Sequence, residues 1–264
     1  MMPRTVPVAP KPKLFDEYDM PTGAAHKARI RMLQIFVKEQ PSKHSANVGQ
    51  KRRFRAAFDD FAWERNIKKV YENSAGHHLN QFEIDPMPLN EHSLELLLAT
   101  VDDLIETSSM ETIDTASETD KMMLVDAVMR AVCRECTSCV KIERNVTFKS
   151  EVLEPFGRVD LLRAGKMEKA IVMQCKKQDF DRGLTEMAIA VEIALLERME
   201  KGPDSKANIY GFMSDFVTWH VMELSAKRAR FCKFTVDASK REDDLRTLVG
   251  ALSALVQGKE ARDA

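Results

Sequence analysis

Apolar residues recur at helical spacing in six stretches of the chain and at near-alternate spacing in at least five others. Ile30, Leu33 and Val37 form one stripe within residues 24–39, and Phe54, Phe58, Phe61 and Ala62 form another within 51–72. Both stretches predict amphipathic helices. Pro41 ends the first, and a polar linker over 41–50 joins the two. Residues 73–90, punctuated by Asn, Gly and Pro, predict a loop. Asn90 then stands where a helix cap is wanted, before Leu94, Leu97, Leu98, Val101, Leu104 and Ile105 in a helix over 91–107. Residues 119–135 predict a helix with a broad apolar face. Residues 181–200 predict one that is apolar on more than one face, as expected of a helix packed between layers. A last helix over 241–257 carries Leu245, Leu248, Val249, Leu252 and Val256 in register.

Between these helices the period changes. Residues 140–153, 157–164 and 169–177 predict three strands, with Gly165 and Lys166 in a turn between the second and third. Residues 207–224 hold strand-like runs around a turn near Ser214 and Asp215, and residues 230–236 give a further strand. The expected fold class is α/β, a mixed central sheet flanked by helices. The expected organisation has three parts: a disordered Pro-rich leader over 1–25, a helical N-terminal region over 26–115, and an α/β core over 116–264. The segment 107–119, rich in Ser, Thr, Glu and Asp, supplies the boundary.

Charge sharpens this division. Residues 1–72 hold fifteen Lys and Arg against eight Asp and Glu, whereas residues 83–126 hold one against twelve. A basic arm followed by an acidic segment fits electrostatic contact with a partner, through the N-terminal region if the partner is a protein. Solvated helix faces are the plainer account. The run Lys51, Arg52, Arg53 with Arg55 reads as a nucleic-acid contact or a nuclear-import signal. No apolar run reaches membrane-spanning length, and residues 1–13 lack the apolar stretch of a secretory signal. Five cysteines, an odd number, do not read as a disulfide framework. An intracellular protein of the cytoplasm or nucleus, without membrane contact, is expected.

Three residues stand out chemically. On a strand, positions two apart share a face, so Gln174 and Lys176 project together. A Lys within a strand that reads as buried is unusual without a partner or a task. Asp160 lies between Val159 and Leu161, an equally apolar setting for a carboxylate. If the two strands pair through the turn at Gly165, Asp160 meets Gln174 and Lys176 in one site. A structural ion pair between Asp160 and Lys176 in an unrelated α/β fold remains the alternative.

The sequence Gly157-Arg158-Val159-Asp160, followed by Ile171-Val172-Met173-Gln174-Cys175-Lys176, resembles the PD-(D/E)XK nuclease superfamily. Downstream, Tyr210-Gly211, Ser214-Asp215 and Trp219 resemble the strand pair of Crinkler-type effectors and related nuclease-like proteins. The resemblance covers about residues 117–255. It implies a restriction-endonuclease-like core in αβββαβ order with an N-terminal helical extension, and a magnesium-dependent nuclease that hydrolyses DNA or RNA. Asp160, Gln174 and Lys176 would be its catalytic residues. The expected cofactor is Mg²⁺ or Mn²⁺, held by Asp160, Gln174, the Cys175 carbonyl and Glu151, since a hard cation takes oxygen ligands. Lys176 would orient water or stabilise charge on the phosphoryl group.

Position 174 departs from the family, whose commonest residue there is Glu or Asp. Gln brings an oxygen without a charge, so another carboxylate is needed: Glu151, Glu154 or Glu135. The alternative is a degenerate domain that binds nucleic acid or protein without cutting. Cys133, Cys136 and Cys139 resemble part of an iron–sulfur ligand set but lack a nearby fourth cysteine, and read more simply as small apolar residues at a helix end. His77 and His78 lie in a loop with no ligand at suitable spacing, and Tyr210 and Trp219 are expected in the core rather than as base-stacking platforms.

Overall fold

A computed structural model describes residues 80–108, 113, 116–136, 140–146, 159–164, 167–174, 180–200, 208–225, 229–258 and 262–263. The leader and the two helices expected over 24–39 and 51–72 lie outside these residues. The elements are β1 (Asn80–Glu83), α1 (Glu91–Thr107), α2 (Glu118–Glu135), β2 (Val140–Val146), β3 (Val159–Ala164) and β4 (Met167–Gln174). There follow α3 (Phe180–Glu200), β5 (Ile209–Ser214), β6 (Thr218–Leu224), β7 (Ala229–Thr235), α4 (Arg241–Val256) and β8 (Arg262–Asp263).

The strands form one mixed sheet in the order β2-β3-β4-β5-β6-β7-β1-β8. The β4–β5 and β1–β7 pairs are parallel and the others antiparallel. The expected α/β class holds at this level. Helix α3 makes the crossover between the parallel neighbours β4 and β5, a connection that a tight turn cannot provide. Its residues 187–196 are all buried, which accounts for the apolar character around the whole of that helix. Gly211 of β5 lets α3 approach: a Cβ there would stand 2.6 Å from Val191 Cγ2 and 3.0 Å from Met187 Cγ.

The opposite face of the sheet carries the larger core. Phe212, Trp219 and Val221 from β5 and β6 pack in one cluster with Leu124, Val128 and Val132 of α2 and Leu248, Leu252 and Leu255 of α4. Local signals set the helix starts. The Asn90 side chain accepts from the His92 N–H at 2.9 Å and begins α1. Ser117 and Asp120 form a reciprocal capping box that begins α2.

Two features differ from the sequence reading. The segment 73–90, expected as loop, contributes β1, whose register pairs Asn80 with Arg230 and Gln81 with Phe231. Second, a boundary near 115–116 does not separate two cores. Phe82, Leu97 and Val101 belong to the same cluster as α2, α4 and the sheet. Ion pairs from Asp102 to Arg241 and from Glu91 to Arg246 tie α1 to α4 from outside. The Ser, Thr and acidic residues of 107–119 mark a connection between packed helices, because polar composition reports exposure and not the limit of a domain.

Candidate functional site

The register of β3 on β4 sets Asp160 opposite Val172, and Gln174 lies two residues further along the same strand as Val172. Cross-strand partners share a face, as do residues two apart. Asp160 and Gln174 therefore occupy one face of the sheet, at neighbouring positions on adjacent strands. Gln174 is in turn opposite Ser214 of β5, and Val172 opposite Phe212. Phe212 faces the core formed with α2 and α4, so the Asp160–Gln174 face is the one those helices cover. Cys175, Lys176, Glu151 and Glu154 lie outside the described residues, as do Lys51, Arg52, Arg53, Arg55, His77, His78 and Cys139.

The two ends of the sheet are chemically distinct. Val140, Ala164 and Met167 gather at one end, and Val146, Val159, Gln174 and Ser214 at the other. The first turn of α2 sits at the Gln174 end. There Lys121 Nζ lies 3.5 Å from Asp215 Oδ2, with the two side chains only 7% and 16% exposed. The turn beyond Ser214 is closely held. Ser214 Oγ accepts the Phe216 N–H at 2.8 Å, and Asp215 Oδ1 accepts the Thr218 N–H at 2.8 Å. Trp219 Nε1 donates to the Phe216 carbonyl at 2.8 Å. Phe216 itself has a φ of 78°, a left-handed conformation that bulky residues rarely adopt.

Glu135 does not join this end. It closes α2 seventeen residues after Glu118, about 26 Å away at 1.5 Å per residue. There its Oε2 accepts from the Asn90 N–H at 3.2 Å, and Gln257 Nε2 donates to its carbonyl at 3.1 Å. It joins the ends of α1, α2 and α4 there, away from the Gln174 end of the sheet.

By residue type, Asp160 and Gln174 are a carboxylate and an amide, and oxygen donors of that kind suit a hard cation better than a soft metal. Among the described residues, no group of three or more His, Cys, Asp or Glu is arranged to hold a metal ion. Cys133, Cys136 and Cys232 pack half-buried against the core. Burial pushes the Cys136 thiol up to about 11, helped by the neighbouring Cys133, and pushes Cys232 up to about 12. Thiols held protonated in this way are poor nucleophiles at neutral pH. Trp219 is fully buried and Tyr210 is 6% exposed, so neither is a stacking platform.

A second polar cluster lies inside the core. Glu223 and Arg230 pair across β6 and β7, and the guanidinium carbon stands 5.0 Å from the centre of the Phe82 ring. Tyr210, opposite Glu223 in the sheet, is pushed up to about 12, first by burial and then by the Glu223 charge. The sequence did offer a signal for this pair. Glu223 lies between Met222 and Leu224, and Arg230 between Ala229 and Phe231, charged residues in apolar runs of the kind that singled out Asp160. Lys121 stood out as the one cation in the acidic segment 83–126.

Comparison with family models and with curated proteins finds no match for this chain. Among the described residues, no helix is long and apolar enough to cross a membrane.

Proposed function

We propose that the chain is a metal-dependent nuclease of restriction-endonuclease-like ancestry, with its site at the Gln174 end of the sheet. The observation that carries this reading is the register that gives Asp160 and Gln174 one face on adjacent strands. The order of the elements supports it: α2, then antiparallel β2, β3 and β4, then the crossover α3, then β5 parallel to β4. That is the αβββαβ sequence implied by the resemblance of residues 117–255.

In this reading Asp160 and Gln174 hold Mg²⁺ or Mn²⁺, with the Cys175 carbonyl and Glu151 completing the set. Lys176 bears on the phosphoryl group or the attacking water. The cation, when bound, would polarise the phosphate and acidify a water. Asp160 supplies the anionic oxygen, and Gln174 fixes position without adding charge. The substrate is DNA or RNA, and the basic run at Lys51, Arg52, Arg53 and Arg55 contributes affinity through phosphate contacts.

A second reading, a nuclease-derived domain that binds nucleic acid or protein without cutting, is favoured by the amide at 174 and by the place of Glu135 at the far end of α2. Assays on single- and double-stranded DNA and RNA, with Mg²⁺ or Mn²⁺, separate the two. The nuclease reading expects cutting that falls by orders of magnitude in Asp160→Ala and Lys176→Ala, each shown to be folded by circular dichroism. Wild-type protein that cuts none of the four substrates with either metal moves the assignment to the binding domain.

A further inference from the structure

Lys121 is the one cation among residues 83–126, and the fold places it at the Gln174 end of the sheet with its charge directed to Asp215. A lone charge can reach water from the first turn of a helix, yet this one is taken inside. Its partner is just as constrained. Asp215 uses Oδ1 to accept the Thr218 N–H and keeps Oδ2 for Lys121. The backbone beyond it is strained at Phe216, which is fully buried. A bulky residue keeps a left-handed conformation only where its surroundings over-determine it. Here they do so through Ser214 Oγ, through Trp219 Nε1 and through the Val236 N–H donating to the Val217 carbonyl at 2.8 Å. The strain and the hydrogen bonds together aim Asp215 at α2.

This turn adjoins the candidate site. Ser214, the residue before Asp215, is the register partner of Gln174, one strand spacing of about 4.8 Å away. We propose that Lys121 and Asp215 form a positioning pair for the Asp160–Gln174 end, holding the first turn of α2 against the ends of β4 and β5. The inference rests on the metal-site reading above. A buried ion pair is a poor source of stability, since two apolar side chains of similar volume serve as well or better. Its value lies in fixing one arrangement of helix and strand ends, and the supports of a metal site typically alter affinity 10- to 100-fold when removed.

The test separates position from stability. Asp215→Asn keeps an acceptor for the Thr218 N–H and removes the charge, Lys121→Met keeps the apolar stem, and the double variant removes both charges. Each full-length variant is titrated with Mn²⁺ by calorimetry, and its thermal midpoint is recorded beside wild type. Asp215→Asn is expected to melt several degrees lower, because a buried ammonium loses its counter-charge. The double variant is expected to regain most of that midpoint and still bind Mn²⁺ at least about tenfold more weakly than wild type. Wild-type affinity in the double variant overturns the positioning role and leaves the metal site standing. Wild-type protein that binds neither Mn²⁺ nor Mg²⁺ overturns the metal site and this pair's role with it. Should the double variant fail to fold, Lys121→Met alone decides, with weakened Mn²⁺ binding expected and unchanged binding fatal to the proposal.

Discussion

Arg230 and Glu223 meet two-pronged across neighbouring strands, Nη2 to Oε2 at 2.7 Å and Nε to Oε1 at 3.2 Å, with neither side chain more than 1% exposed. A fork this well matched satisfies both charges, and Phe82 covers the guanidinium from above. Removing one partner takes the matching charge from the other inside the core. Glu223→Leu or Arg230→Met is expected to cost about 3–5 kcal/mol in urea unfolding, whereas the double variant recovers most of the loss. Additive losses in the double variant would mean that the two side chains act independently.

The place of β1 and α1 in the core sets a limit on truncation. A chain beginning at residue 116 loses Phe82, Leu97 and Val101, all at most 2% exposed. At about 1.5–3 kcal/mol for each buried apolar side chain, that removes about 5–9 kcal/mol. Domains of this kind hold about 5–15 kcal/mol in total. Such a fragment is expected to melt without a cooperative transition by circular dichroism. A sharp transition near that of the full chain would show that the core closes without β1 and α1.

The thiols give stability a dependence on alkaline pH. Cys136 is pushed up to about 11 and Cys232 to about 12, from an ordinary value of 9.0. The folded chain keeps their protons over a range where the unfolded chain has lost them, so the sign is fixed. Their contribution is complete below pH 9 and declines as pH rises towards 12. The unfolding midpoint is expected to fall across that window, and to fall less in Cys232→Ala. An identical decline in that variant would assign the effect to other groups.

Charge at position 174 is the most direct handle on the cation. Gln174→Glu puts an anionic oxygen where an amide stands and is expected to tighten Mg²⁺ or Mn²⁺ binding by about tenfold, roughly 1.4 kcal/mol. Calorimetric titration reads this directly. Affinity that is unchanged or weaker would show that residue 174 is not a ligand.

The elements built from local signals were legible in the sequence. The Asn90 cap and the stripe from Leu94 to Ile105 gave α1 its observed bounds, and the five-residue apolar register from Leu245 to Val256 gave α4 to within one residue. Strand β1 was not legible. In Asn80-Gln81-Phe82-Glu83 only Phe82 is apolar, so no alternation exists to read, and the segment is a strand because β7 offers it a partner. At the candidate site, period-two spacing alone does not give Asp160 and Gln174 a shared face: continued from Ala164 opposite Met167 it would pair Asp160 with Ile171, and the register shift between Leu162 and Arg163 sets Asp160 opposite Val172 instead. The Lys121–Asp215 contact was not legible either, because it depends on where α2 crosses the sheet and on a left-handed Phe216, which sequence gives no reason to expect.

The parallel pairing of β1 with β7 bears on how the chain matures on the ribosome. Asn80 is made early, but its register partner Arg230 emerges 150 residues later. At a synthesis rate of about 5–20 residues per second, the nascent chain waits roughly 8–30 s before that edge exists. Through this interval Phe82 has no guanidinium to cover, and the apolar faces of α1 and α2 lack α4. Nascent chains that end before residue 230 are thus the ones most exposed to chaperone capture. Closure of the core is a late event that follows the making of β7 and α4.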